Sequence, residues 1–419
     1  MGGNDGDRGL LRLSGLAALV GLVSSVLTVV FLVTVQGVTE FLNGDLKRGL
    51  LPSDLFWIFT IGLALACGLI VGLLIKRYGE NSGLGHAQRE FDETGKIDHR
   101  HLPDIIGTSF VSLLSGASVG PEGALSDLTG GVGTYISERL RLSKEDLKII
   151  VFAAIAGCFG GFFSSPVVGV VVSLEYMFIK KLDYYRLIVP ALVAAAVGYA
   201  GFYLLLGTSL SFTFSFPGYD APRMIDLFYA FLLGLLGAGL GIIHMLLMRG
   251  SGKGLAMFRS RPVQRALLGA AVFGCIGVLL PLSLYSGQSS LQSLLTTFKQ
   301  EGALVLLALV AAKMVTMSIS FGSGYKGGPI FPLLFIGGTF GMAVSLLLPF
   351  IPEGVCILVL MSSFICAIWP IPLSVALFLG LAVQPALVPV IVIGSVMGYI
   401  VSSAVKARMA EKTAAGPAQ

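Results

Sequence analysis

Long apolar segments separated by short polar connections run along nearly the whole chain. The first reaches from Leu16 to Val35, and the second, from Leu55 to Ile75, ends at Lys76-Arg77. Each has about the 20 residues that a helix needs to span a bilayer. Further apolar runs cover 105–114, 149–179 (interrupted by Gly157, Gly160, Gly161 and Pro166), 187–206, 225–248, 267–284, 303–319, 355–368, 373–383 and 388–405. Because several runs are too short to span, the pattern predicts an all-α integral membrane protein with many tilted and broken helices.

Composition supports a protein that lies almost wholly within the bilayer. Of the 419 residues, 55% are hydrophobic and 12% are charged, whereas a soluble domain carries about 25% charged residues. The net charge of +5 is typical of loop residues that set membrane orientation, so we predict no nucleic-acid partner. Basic residues near Arg8, Lys76, Lys180, Arg249 and Lys406 predict cytoplasmic loops. We therefore expect a multi-pass protein of the cell (inner) membrane with both termini in the cytoplasm.

The two halves of the chain carry matching glycine and proline positions. Gly120-Pro121 and Gly130-Gly131 recur as Gly327-Gly328 and Gly337-Gly338, each 207 residues later, and Ser165-Pro166-Val167 recurs as Ile371-Pro372-Leu373, 206 residues later. Duplicated halves with paired broken helices are typical of transporters whose binding site lies at the bilayer midplane. The spacing predicts two inverted repeats, at about 10–205 and about 225–404, within a single membrane domain (1–419). A short cytoplasmic tail, 405–419, is expected to follow.

One glycine-rich stretch, 116–133, carries a carboxylate at membrane depth. Its sequence is GASVGPEGALSDLTGGVG, and Glu122 directly follows Gly120-Pro121. A charge at this depth is costly, and the surrounding glycine and proline predict a broken helix whose start faces a cavity. The free N–H groups at such a start attract an anion. We therefore predict that Glu122 competes with a transported anion for these N–H groups.

Three short motifs occur in an order that resembles a known family. They are Asn81-Ser82-Gly83-Leu84-Gly85, Gly120-Pro121-Glu122-Gly123-Ala124 and Gly327-Gly328-Pro329-Ile330-Phe331-Pro332. They resemble the GSGIP, G(K/R)EGP and GGxFxP signatures of the CLC chloride channels and proton/chloride exchangers, and the resemblance runs from about 16 to 404. It implies a CLC-type fold, chloride or a similar anion as the transported ion, protons as a second ion in exchangers, and a homodimer in the bilayer. It implies no cofactor and no metal.

The resemblance also implies which residues form the site. Glu122 matches the gating glutamate of the family. Ser82 matches the serine whose hydroxyl holds the anion, which in the family accompanies a preference for chloride over nitrate. The implied anion-binding set is Ser82, Gly83, Gly120, Gly123, Gly328, Ile330 and Phe331.

Two departures from the family pattern bear on mechanism. Pro329 has no N–H where the family usually offers one, so a donor to the anion is missing. The internal proton-transfer glutamate of exchangers aligns with Tyr176, one residue after Glu175. A phenol with a pKa of about 10 is a poor relay near neutral pH. We name Glu175 and Tyr176 as a possible proton path, with an ion pair between Glu175 and a lysine as the alternative.

Several interpretations remain open at this stage. A passive channel or uncoupled carrier gated by Glu122 is slightly favoured, and a proton-coupled chloride antiporter is the alternative. An intramembrane enzyme is a remote alternative, because no nucleophile–base or metal set occurs at a suitable spacing, and we expect no enzymatic activity. Lys313, the only lysine in the apolar run at 303–319, either adds positive potential to the anion path or pairs with Glu175.

Overall fold

The computed structural model describes residues 3–79, 84–177, 184–207, 214–219 and 223–414, and within these ranges the chain forms helices and no strands. The helices are α1 (Gly3–Phe41), α2 (Lys47–Leu50), α3 (Phe56–Tyr78), α4 (Leu84–Thr94), α5 (Leu102–Leu114), α6 (Glu122–Arg139), α7 (Lys144–Phe162), α8 (Pro166–Tyr176), α9 (Tyr184–Leu206), α10 (Met224–Ala256), α11 (Pro262–Leu279), α12 (Gln288–Glu301), α13 (Ala303–Gly322), α14 (Ile330–Leu347), α15 (Glu353–Ile368), α16 (Pro372–Leu381) and α17 (Val388–Ala414). The predicted all-α membrane fold is confirmed.

Long and short helices coexist, as the uneven apolar runs predict. Within the described ranges, eight helical segments are long and apolar enough to cross a membrane. In contrast, α8, α15 and α16 are apolar helices of only 10–17 residues. A short helix is stable at membrane depth only where protein, rather than lipid, surrounds its ends. Consistent with this, α14 and α15 are buried along almost their whole length, whereas α3 and α10 expose large apolar side chains.

The matching glycine and proline positions mark equivalent helix starts. Helices α6 and α14 both contain 18 residues and begin at Glu122 and Ile330, directly after Gly-Pro sequences. Helices α8 and α16 both begin at a proline, Pro166 or Pro372. Proline suits the first helical turn because it lacks the N–H group that would have no partner there. The order of elements therefore follows the duplicated pattern, while the repeat boundaries remain a prediction.

Glycines in α7 join helices rather than break them. The sequence suggested interruptions at Gly157, Gly160 and Gly161, but α7 continues to Phe162 and the chain turns only before Pro166. A Cβ atom on Gly157 would lie 2.8 Å from the Cα of Gly21 in α1. One on Gly160 would lie 2.6 Å from the carbonyl oxygen of Ala195 in α9. The glycines therefore interrupt the apolar run in the sequence but not the helix, and they allow neighbouring backbones to touch.

We predict that Gly198→Ala in α9 destabilises the protein by about 1–3 kcal/mol, since its Cβ would lie 2.1 Å from the carbonyl oxygen of Gly157. Gly239→Ala in α10 is the matched control, because no atom lies within 4 Å of the added Cβ. The difference is measured as the shift in thermal unfolding midpoint in detergent, with size-exclusion chromatography as the readout of folded protein. Equal midpoints for the two variants would show that the α7–α9 approach is not tight.

Candidate anion-binding site

Two loops, one before α6 and one before α14, pair through their backbones. The N–H of Gly120 donates to the carbonyl of Gly328, and the N–H of Gly328 donates to the carbonyl of Gly120, both at 2.7 Å. These reciprocal bonds satisfy backbone groups that would be costly to bury unpaired. As a result, the starts of α6 and α14 are held side by side inside the protein.

Serine side chains from the preceding helices hold the same two loops. The N–H of Ser118 donates to the Oγ of Ser320 in α13, and the N–H of Lys326 donates to the Oγ of Ser112 in α5, both at 3.0 Å. Each bond crosses between the two halves of the chain. Sequence reasoning missed Ser112 and Ser320, because a serine within an apolar helix does not indicate which backbone group it will meet.

The Glu122 side chain lies at this double helix start. It is fully buried, and its Oε1 accepts a hydrogen bond from the N–H of Ile330, the first residue of α14. The N–H groups of Phe331 and of Glu122 itself also interact with the carboxylate. Two helix N-termini therefore contribute partial positive charge at one point, as an anion requires. Its second oxygen, Oε2, accepts no hydrogen bond from the described part of the chain.

The neighbouring glycines shape the space that the carboxylate occupies. A Cβ on Gly328 would lie 2.2 Å from the Cγ of Glu122, and one on Gly120 would lie 2.1 Å from its Oε2. A Cβ on Gly123 would lie 2.9 Å from the backbone of Gly327. Gly120 and Gly328 belong to the implied anion-binding set, but neither N–H group is free for an anion, since each bonds to the opposite loop. What these two glycines contribute is space, because the absence of a Cβ lets the Glu122 side chain come close to their backbones.

The first backbone donor of α14 comes from Ile330. Pro329 stands at the N-cap of this helix and carries no N–H, so the available donors are those of Ile330 and Phe331. The Phe331 ring packs edge-on against Phe162 at the end of α7, with ring centroids 5.6 Å apart. Phe162 in turn contacts Phe163. This aromatic cluster fixes the start of α14, and its sequence signal is the Phe162-Phe163 pair directly after two glycines.

Two of the predicted anion ligands, Ser82 and Gly83, lie outside the described residues. Their proposed role rests on the sequence alone. The described chain resumes at Leu84 with α4. The main chain of Gln88 in this helix interacts with the phenol of Tyr176, so α4 packs close to the end of α8.

The side chains of Glu175 and Tyr176, named together as a possible proton path, have different surroundings in the structure. Glu175 accepts hydrogen bonds from the N–H groups of Leu373 (3.0 Å) and Ser374 (2.6 Å). It therefore caps α16, whose own N-cap residue offers no side-chain bond. Tyr176 is buried, with its ring edge-on to Trp369 and its hydroxyl at Ser126 of α6. The Tyr176 hydroxyl thus contacts the helix that carries Glu122.

Lys313 does not pair with Glu175. Its ammonium donates to the carbonyls of Ser283, Leu284 and Tyr285 at 2.6–3.1 Å, and the side chain is fully buried in α13. The alternative of a Glu175–Lys313 ion pair is therefore wrong, because backbone groups hold each of these two charges separately.

Comparison with known proteins identifies the family. The family model described as "Voltage gated chloride channel" matches residues 67–403. The chain belongs to this family, the CLC proteins. These are anion transporters of the membrane and not enzymes, which sets aside the enzyme alternative.

Individual relatives agree with this assignment. The H(+)/Cl(-) exchange transporter ClcA of Vibrio cholerae is 28% identical over 340 residues, covering 79% of this chain and 72% of ClcA. The YfeO protein of Salmonella schwarzengrund is 27% identical over 364 residues, 84% of either chain. A slow cyanobacterial Cl-/H+ antiporter superposes with a TM-score of 0.81 and 21% identity, over 97% of this chain and 99% of the other. That structure shows that the CLC fold is shared.

We predict that Glu175→Gln lowers stability by about 1 kcal/mol, since the neutral amide has one acceptor oxygen where the carboxylate uses two, Oε1 for Leu373 and Oε2 for Ser374. Proton movement by the reconstituted protein is expected to stay unchanged. Glu353→Gln is the matched control, because this carboxylate lies at the start of α15 and is also partly exposed, but it pairs with the Lys299 side chain at 2.7 Å. Loss of proton movement in Glu175→Gln alone would contradict the capping role.

Proposed function

We propose that the protein is a proton-coupled anion antiporter that exchanges chloride for protons. In this proposal Glu122 takes up the proton and, when ionised, occupies the anion site. One observation carries this proposal: the Glu122 carboxylate lies against the backbone N–H of Ile330 at the start of α14. A carboxylate and a halide are both anions, so they compete for the same donors. Occupancy of the site by one excludes the other.

Protonation of Glu122 changes this competition. The ionised carboxylate is attracted by the partial positive charge of two helix starts, whereas the neutral acid is not. A proton taken up on Oε2, the oxygen without a hydrogen bond from the described chain, removes the charge that holds the side chain in place. The side chain then leaves, and an anion takes its place at the N–H groups of Ile330 and Phe331. Return of the carboxylate requires release of the proton, which links the two ions.

The relatives favour exchange over passive flow. The ClcA relative is named as an H(+)/Cl(-) exchange transporter, which supports the antiporter interpretation better than the passive one that the sequence slightly favoured. That earlier preference rested on Tyr176 replacing the internal glutamate. A phenol that donates one hydrogen bond while it accepts another passes a proton without becoming ionised. We therefore propose that protons reach Glu122 past the Tyr176 hydroxyl and its contact with Ser126.

The family supports a proposal for the assembly and location of the protein. We propose a homodimer with one ion pathway in each chain, in the cell (inner) membrane with both termini in the cytoplasm. Light scattering of the detergent-solubilised protein measures the number of chains. Accessibility of cysteines introduced near Arg8 and Lys406 in intact cells measures the orientation.

The central test measures chloride and proton movement together in proteoliposomes. An outward chloride gradient is expected to drive protons inward against their own gradient, at a fixed ratio to the chloride released. Chloride release without any proton movement would establish passive flow instead. No chloride flux at any pH would overturn anion transport by this protein.

We predict that Glu122→Gln keeps chloride flux but abolishes proton movement, because the amide cannot take up or release a proton. Wild-type flux is expected to rise at least about threefold from pH 7.5 to about pH 4.5, as the carboxyl becomes protonated. In the variant this rise should be absent. Glu138→Gln, at the far end of α6 and bonded to Lys96 at 2.8 Å, is the control. A normal pH response in Glu122→Gln would remove Glu122 from the gate.

A further inference from the structure

A fully buried lysine lies outside the site described so far. Lys313 belongs to the middle of α13, and none of its surface is exposed. Its ammonium donates to three successive backbone carbonyls, at 3.0 Å for Ser283, 3.1 Å for Leu284 and 2.6 Å for Tyr285. The Phe335 ring lies 5.1 Å from the same nitrogen. All donor capacity of the ammonium is therefore used by neutral groups.

No carboxylate balances this charge within the described part of the chain. Carbonyl dipoles and an aromatic face solvate a cation but leave its net charge in place. An uncompensated charge in a low-dielectric interior is expensive, and its field reaches much farther than that of an exposed charge. A buried lysine without a carboxylate partner in a membrane protein indicates a functional role.

The position of Lys313 relates its charge to the anion site. The N–H of Tyr285 donates to the carbonyl of Gly116 at 3.0 Å, at the start of the loop that leads to Glu122. Phe335 lies five residues after Ile330 on α14, a rise of about 7.5 Å along the helix. The ammonium is therefore on the order of 10 Å from the N–H groups that hold the carboxylate.

We propose that Lys313 is a positioning residue that supplies a fixed, unneutralised positive charge and so sets the affinity of the site for its anion. The carbonyl groups of Ser283, Leu284 and Tyr285 hold the ammonium in place without cancelling its charge. At about 10 Å and an effective dielectric constant of about 20, a unit charge changes anion binding roughly tenfold. This proposal rests on anion transport by the Glu122 site. Chloride flux by the wild-type protein tests that function separately.

The first test compares charge-removing and charge-keeping variants. Lys313→Met and Lys313→Gln are expected to raise the chloride concentration for half-maximal flux by about three- to tenfold. Lys313→Arg, which keeps the charge, is expected to stay within about twofold of the wild-type value. Lys299→Met is the control: this lysine is 63% exposed on α12, so water and salt screen its charge. Its removal should leave the chloride dependence unchanged.

A second test cancels the charge while Lys313 stays in place. A Cβ on Gly287 would lie 3.1 Å from the Lys313 nitrogen, and Gly287 adopts a left-handed conformation that Asp and Asn tolerate better than other side chains. Gly287→Asp therefore places a carboxylate beside the ammonium, and Gly287→Asn places a neutral group of the same shape there. Backbone and packing strain are the same in both.

The outcomes separate charge from structure. A higher chloride concentration for half-maximal flux in Gly287→Asp than in Gly287→Asn, with equal thermal midpoints, supports the proposal. This comparison holds even if Lys313→Met does not fold. The same half-maximal chloride concentration in both Gly287 variants, or a Lys313→Gln protein that folds and binds chloride normally, overturns it. Lys313 would then serve only to hold the loop at 283–285.

Discussion

The position of the Glu122 carboxylate depends on one pair of backbone hydrogen bonds, between Gly120 and Gly328. Helix starts carry unpaired N–H groups, and in a membrane these groups need an acceptor. Pairing the two loops places the starts of α6 and α14 together, so that the single Glu122 carboxylate meets donors from both. The short lengths of α8 and α16 and the burial of α14 and α15 follow from the same requirement. Protein must surround any helix that ends inside the bilayer.

Backbone groups, rather than opposite side-chain charges, solvate three charges described here: the buried Glu122 and Lys313 and the partly buried Glu175. N–H groups at the start of α14 hold Glu122, those at the start of α16 hold Glu175, and three carbonyls hold Lys313. Neutral dipoles stabilise a charge without cancelling its field. A protein that moves ions benefits from this arrangement, since an ion pair at the same place would remove the attraction that the transported anion needs.

Glycine has two separate uses in this fold. In the loops before α6 and α14, Gly120 and Gly328 leave room for the Glu122 side chain, because a Cβ on either would overlap it. In α7 and α9, Gly157 and Gly198 bring helix backbones into contact. Both uses depend on the missing side chain, but only the first concerns the ion site directly. The same residue type in the sequence therefore does not reveal which use applies.

The sequence by itself determined the all-α membrane class, a helix start close to Glu122, and the family, because apolar length and Gly-Pro positions act locally. Only the tertiary structure decided which groups form hydrogen bonds with one another. Glu175 lies near Tyr176 in sequence but caps α16, nearly 200 residues away, and Gly120 and Gly328 use their N–H groups on each other. Lys313 was recognised as unusual, yet its three carbonyl partners come from a turn about 30 residues earlier. Hydrogen-bond donors and acceptors are present on every residue, so which ones meet is set only when the helices pack.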